Sequence, residues 1–113
     1  MTGDVSLLGD VVIVAGRRIR LSYLADDAFT LDGRLIVLYA PTSERGKVGQ
    51  FNNLVALGDE GDEVWTAELP TGETGDCYYR VVSHASLVAI SVKSFVCTLD
   101  SMTGRITSRE FVK

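Results

Sequence analysis

The chain has 113 residues, 46% of them apolar and 23% charged, a balance that suits one folded domain and argues against disorder over most of its length. Eleven basic against fifteen acidic residues leave a net charge of −4, the wrong sign for a nucleic-acid binder, whose affinity comes mostly from neutralising phosphates. No apolar run approaches the roughly 18 residues of a membrane helix, and residues 1–6 lack the features of a secretory leader, so the expectation is a cytoplasmic protein.

Strand signals dominate from the start. Val11-Val12-Ile13-Val14 is a β-branched run, closed by Ala15-Gly16-Arg17 and followed by the alternating Ile19-Arg20-Leu21. This is an N-terminal hairpin, with Gly16 free to take positive φ at the turn. Arg17 falls in the turn, while Arg18 and Arg20 share one strand face. That reads as a charged edge that discourages aggregation rather than as a phosphate site. Residues 23–27 show no clear period and form a crossover, with a short helical turn allowed at Ala25-Asp26-Asp27.

Phe29-Thr30-Leu31 leads into the hairpin pair Asp32-Gly33, and Leu35-Ile36-Val37-Leu38-Tyr39 reads as a strand buried on both faces. Pro41 ends it. Residues 41–50 are polar, contain two glycines and form a loop. Long loops in compact domains tend to carry function or disorder, so this one reads as a binding loop or a plain mobile one. Glu44, Arg45 and Lys47 give this one both signs of charge and are candidate partner-binding residues. Leu54-Val55-Ala56-Leu57 resumes strand, Asp59-Glu60-Gly61-Asp62 turns the chain, and residues 64–69 run back. A second loop at 70–76 precedes strands at 77–82, 87–92 and 95–99, and after the turn at 101–104 a last strand spans 106–112. The total is about ten antiparallel strands in a single all-β domain covering 1–113.

The second half echoes the first. Leu35-Ile36-Val37-Leu38 aligns with Leu87-Val88-Ala89-Ile90 at an offset of 52, and Leu54-Val55-Ala56-Leu57 with Val96-Cys97-Thr98-Leu99 at an offset of 42. The difference of 10 is the length of the 41–50 loop, an insertion on a repeated frame. Each copy holds four strands, about 28–69 and 77–112, and four sequential antiparallel strands are the unit of a propeller blade.

The stretches Ala56-Leu57-Gly58-Asp59-Glu60-Gly61-Asp62-Glu63-Val64-Trp65 and Thr98-Leu99-Asp100-Ser101-Met102-Thr103-Gly104-Arg105-Ile106 carry a further likeness. They resemble blades of quinoprotein-like (pyrroloquinoline-quinone-type) β-propellers, in which an alanine and an aspartate precede a Thr-Gly turn and a tryptophan follows four residues after the glycine. Trp65 stands four residues after Gly61; the first copy departs with Gly58 and a turn shorter by one, and the second with Ser108 where the tryptophan falls. The chain is also similar to short, mostly uncharacterised bacterial β proteins with this Asn-Leu-Val-Ala-Leu and Glu-Val-Trp layout. The resemblance implies two blade-like sheets plus a hairpin, packed as a sandwich or half-propeller or completed by further copies. A quinone site needs a full ring, so no cofactor is implied.

Catalytic and metal signals are weak. His84, the only histidine, lies in Ser83-His84-Ala85-Ser86, a turn, and no Gly-x-Ser-x-Gly elbow accompanies it. Cys77 and Cys97 sit in apolar runs, as buried thiols do, without zinc-ligand spacing. Asp59, Glu60, Asp62 and Glu63 crowd one turn but lack the regular spacing of a calcium loop. They read as an acidic tip able to meet a basic partner. The expectation is a non-enzymatic protein-interaction module without metal or cofactor, such as an immunity or inhibitor protein that covers a toxic enzyme. Its partner is another protein, not nucleic acid or membrane, and a homo-oligomer is allowed. The rivals are an oligomeric small-molecule-binding or enzymatic β domain with a site between subunits, and a structural subunit of a larger complex.

Overall fold

The computed structural model describes residues 4–40, 52–73 and 75–112. Strands β1 (Val5–Leu8), β2 (Val11–Val14) and β3 (Arg17–Arg20) form the first sheet. The second comprises β4 (Ala25–Leu31), β5 (Arg34–Tyr39), β6 (Leu54–Leu57) and β7 (Glu63–Thr66). The third comprises β8 (Tyr78–Ser83), β9 (Val88–Ser91), β10 (Phe95–Leu99) and β11 (Ile106–Phe111). Each sheet is an antiparallel meander with its strands in chain order. The protein is all-β, and no helix occurs among the described residues.

Three local expectations change. The N-terminal unit is a three-stranded sheet rather than a hairpin, because Val5–Leu8 pairs with β2 from Val5↔Val14 to Leu8↔Val11. Its four residues alternate only between half-buried and exposed, too short a signal to read. Arg17 belongs to β3, and the two-residue turn is Ala15-Gly16, both with positive φ (51° and 72°), the twist that matches a tight hairpin. Ala25-Asp26-Asp27 is extended, not helical. A bulge between the pairs Ala25↔Tyr39 and Asp27↔Leu38 inserts one residue, which erases the two-residue period there.

The sheets stack in three layers with the second in the middle. One of its faces, carrying Leu35, Val37, Tyr39, Val55 and Leu57, packs against Val12, Val14, Ile19 and Leu21 of the first unit. The other, carrying Phe29, Ile36, Leu38, Leu54, Ala56 and Trp65, packs against Tyr78, Leu87, Ala89, Cys97 and Leu99 of the third. This accounts for the unbroken apolar run of β5, since consecutive side chains point into different cores.

The two four-stranded sheets match pair for pair. Ile36↔Ala56, Val37↔Val55 and Leu38↔Leu54 in one correspond to Val88↔Thr98, Ala89↔Cys97 and Ile90↔Val96 in the other, at the offsets of 52 and 42. A bulge falls between Ala56 and Leu57 and again between Thr98 and Leu99. Trp65, opposite Ala56, corresponds to Ser108, opposite Thr98.

Two contacts at opposite edges help join the second sheet to the third. Asn53 is fully buried. Its Nδ2 donates to the carbonyls of Tyr39 (2.9 Å) and Tyr78 (2.6 Å), and its Oδ1 accepts from the Tyr78 amide at 2.9 Å. Every polar group of that side chain is therefore used. At the opposite edge the Trp65 ring lies on Gly104 and its Nε1 donates to the Ser101 carbonyl at 2.9 Å. A Cβ on Gly104 would sit 2.4 Å from Trp65 Cε3, and its φ of 74° disfavours side chains in any case.

Asn53→Leu keeps the volume and removes the bonds, leaving the Tyr78 amide unpaired; a loss of about 3 kcal/mol in urea unfolding is expected. Gly104→Ala should cost about 2–4 kcal/mol from overpacking and backbone strain together. It should also shift native Trp65 fluorescence to longer wavelength as the indole is displaced.

Candidate functional site

The first sheet is short. Its four-residue strands reach about 13 Å, against about 20 Å for the six residues of β5, so it leaves part of the middle sheet's face uncovered. There a cleft of about 250 Å³ opens, lined by Ser22, Tyr23, Tyr39, Asn52, Val55, Glu63 and Thr66. Ser22 and Tyr23 come from the connection between β3 and β4, and the rest come from β5 to β7 and the segment entering β6.

The β6–β7 bulge sets the chemistry of this cleft. In a regular strand Glu63 and Trp65 share a face. The extra residue at Val64 instead puts Glu63 beside Thr66, whose Oγ1 donates to the Glu63 carboxylate, while Trp65 turns into the opposite core. Tyr23 and Tyr39 meet edge to face with ring centroids 5.2 Å apart. Burial pushes the Tyr39 phenol above its ordinary value of 10.0; a hydrogen bond with Ser22 opposes the shift and the Glu63 charge adds to it. The cleft thus offers one carboxylate, two aromatic rings and several hydroxyls, an arrangement suited to a cationic group bearing hydrogen-bond donors.

The sequence candidates separate. Glu63 belongs to the cleft. Glu60 accepts from Arg17 Nη2 at 3.2 Å, across the first and second sheets. The Asp62 carboxylate folds back against Gly58, and its carbonyl accepts from the Gly58 amide at 2.9 Å. Asp59 stays at the exposed tip. The acidic turn is therefore partly spent on internal bonds. Glu44, Arg45 and Lys47 lie outside the described residues. Ser22, Tyr23, Tyr39, Asn52 and Thr66 escaped sequence reasoning; Tyr39 reads as core, and nothing in the spacing ties Tyr23 to it.

His84 sits in the β8–β9 turn. It stacks on Phe29 (centroids 3.7 Å apart, planes within 7°), and its Nε2 is 2.9 Å from Asp27 Oδ2. This clasps the first strand of the second sheet to the turn after the first strand of the third. Cys77 and Cys97 are both free and buried. Among the described residues no three His, Cys, Asp or Glu side chains gather as a metal site, and no helix is long and apolar enough to cross a membrane.

Residues 2–111 match the family described as a domain of unknown function (DUF7957). The chain belongs to that family. No curated protein and no solved structure matches it.

Burial holds four groups in the family member's folded chain above their ordinary values: Cys77 and Cys97 above 9.0, and Tyr39 and Tyr78 above 10.0. Each is neutral when protonated, so above those values the unfolded chain releases protons that the folded chain keeps. Stability is then full at neutral pH and falls as pH rises through about 9 and beyond. Urea midpoints measured up to about pH 11 should show this progressive fall, and Tyr39→Phe should blunt its upper part.

Proposed function

We propose that the protein is a non-enzymatic protein-interaction module whose Tyr23–Tyr39–Glu63 cleft takes a cationic side chain of a partner protein. The carrying observation is the bulge that places the Glu63 carboxylate beside two aromatic rings in a recess of about 250 Å³. That volume lies below the roughly 300–1,000 Å³ of sites for drug-sized ligands. It has room for one lysine or arginine side chain reaching in from a partner's surface, and the occupant in this reading is part of a protein rather than a drug-sized molecule. A chain of net charge −4 draws a basic partner by long-range attraction. An immunity-type inhibitor that covers a basic, toxic enzyme is the concrete form of this reading. A cytoplasmic location goes with it, supported by the two free thiols.

We further infer that the two four-stranded sheets are duplicated blade units of the quinoprotein-like kind. What supports this is the common register, the common bulge, and the seating of Trp65 on the Gly104 turn.

The test is capture of partners from the native host, with wild type and Glu63→Arg as paired baits. Glu63 is exposed, so its replacement should leave the thermal midpoint within about 2 °C of wild type. The expected result is a basic protein held by wild type and lost, at least about tenfold, with Glu63→Arg. Equal retention by both baits would remove the cleft as the binding site. Replacing residues 41–50 by a short Gly-Ser linker assigns or removes Glu44, Arg45 and Lys47 in the same assay.

A further inference from the structure

Each sheet lies on the next in the same way. Ile19 on β3 reaches Gly61 in the turn between β6 and β7, and Trp65 on β7 reaches Gly104 in the turn between β10 and β11. Among the described residues, two faces have no successor. The outer face of the first sheet carries the rows Ser6–Ile13–Arg18 and Leu8–Val11–Arg20. The outer face of the third carries Arg80–Ile90–Val96–Glu110 and Ser83–Val88–Thr98–Ser108.

These faces complement each other strand by strand. Val88, Ile90, Val96 and Thr98 of the third sheet occupy the register positions of Ile36, Leu38, Leu54 and Ala56, the face by which the second sheet receives the third. Their middle strands are apolar, as are Leu8 and Ile13 on the first sheet, which are 64% and 39% exposed, while Val11 beside them is buried. On the outermost strands the charges oppose: Arg18 and Arg20 on β3, Glu110 on β11. Arg17 points inward to Glu60, and Arg20 already has the Asp10 carboxylate 3.8 Å away, which leaves Arg18 as the principal charge facing Glu110.

We propose that the outer face of the third sheet docks the outer face of the first sheet of a second copy, continuing the internal stacking from chain to chain. The contact is heterologous, using two different surfaces. It sets Leu8 and Ile13 on Ile90 and Val96, and Arg18 and Arg20 against Glu110. Ser108 stands where Trp65 anchors the internal contact, so this one lacks the aromatic clamp and is reversible with dilution.

Two full-length variants test it by sedimentation velocity at about 100 µM, a concentration that populates contacts of micromolar strength. Ile13→Glu blocks one face and Ile90→Glu the other. Wild type should self-associate, each variant alone should be monomeric, and an equimolar mixture should form a one-to-one pair through the single intact interface. The exposed-site variants Glu110→Arg and Arg18→Glu repeat the design without touching apolar positions, should either glutamate impair folding. Each should weaken association at least about tenfold. A monomeric wild type overturns the proposal, and so does either apolar variant that associates alone as wild type does, since that result belongs to a symmetric contact using one face twice.

Discussion

The fold depends on the fully buried amide of Asn53. The middle sheet has apolar side chains on both faces, and apolar contact alone is non-directional; two such sheets can slide over one another at small cost. Asn53 removes that freedom, because its donors and acceptor are matched by the backbone of Tyr39 on its own sheet and of Tyr78 at the start of the third. A buried polar group left unmatched is costly, so any other register forfeits these bonds without water to replace them. Asp76 shows the contrast. It is equally buried and accepts from Thr71 Oγ1 at 2.7 Å, yet its second oxygen finds no bonding partner among the described residues. It constrains the loop before β8 less completely.

With the inner edge held by Asn53 and by the His84–Asp27 clasp, the outer edge is set by side chains landing on turns. Trp65 needs a glycine beneath it, and Gly104 has one hydrogen where any other residue places a carbon. Glu68 adds two bonds there, its amide donating to the Gly104 carbonyl and its Oε1 accepting from the Ile106 amide. Arg34 Nη1 donates to the Met102 carbonyl on the same turn. The third sheet is therefore gripped along both edges. The first has the shared apolar core, one backbone bond from the Ala25 amide to the Gly9 carbonyl, Ile19 over Gly61, and the exposed Arg17–Glu60 pair, a kind worth under about 1 kcal/mol.

Sequence patterns carried most of the strands because the physics there is local. β-branched runs, Asp32-Gly33 and the paired offsets of 52 and 42 all report backbone preference or repeated burial, and the structure places each in matching register. What escaped was non-local or interrupted. β1 is stabilised by pairing more than by its own residues, and the bulge at Asp26 disguises a strand by breaking its period. The cleft was opaque for the same reason. Glu63 was visible as an acidic residue, but its company depends on a bulge one residue later and on a first sheet too short to cover Glu63 and Thr66. The paired role of Tyr23 and Tyr39 follows only once both are folded onto one face.

The short first sheet has two consequences that do not compete. On its inner side it exposes the cleft between Tyr23 and Glu63, and on its outer side it offers Leu8, Ile13 and two arginines. Because these lie on opposite sides of one thin layer, a contact made through the outer side leaves the cleft open. Arg18 also keeps that outer side from attracting apolar surfaces indiscriminately, since burying its charge without a carboxylate opposite is costly; Arg20 already has Asp10 at 3.8 Å. The face therefore discriminates by sign: it accepts a surface with an acid in the place of Glu110 and rejects one without.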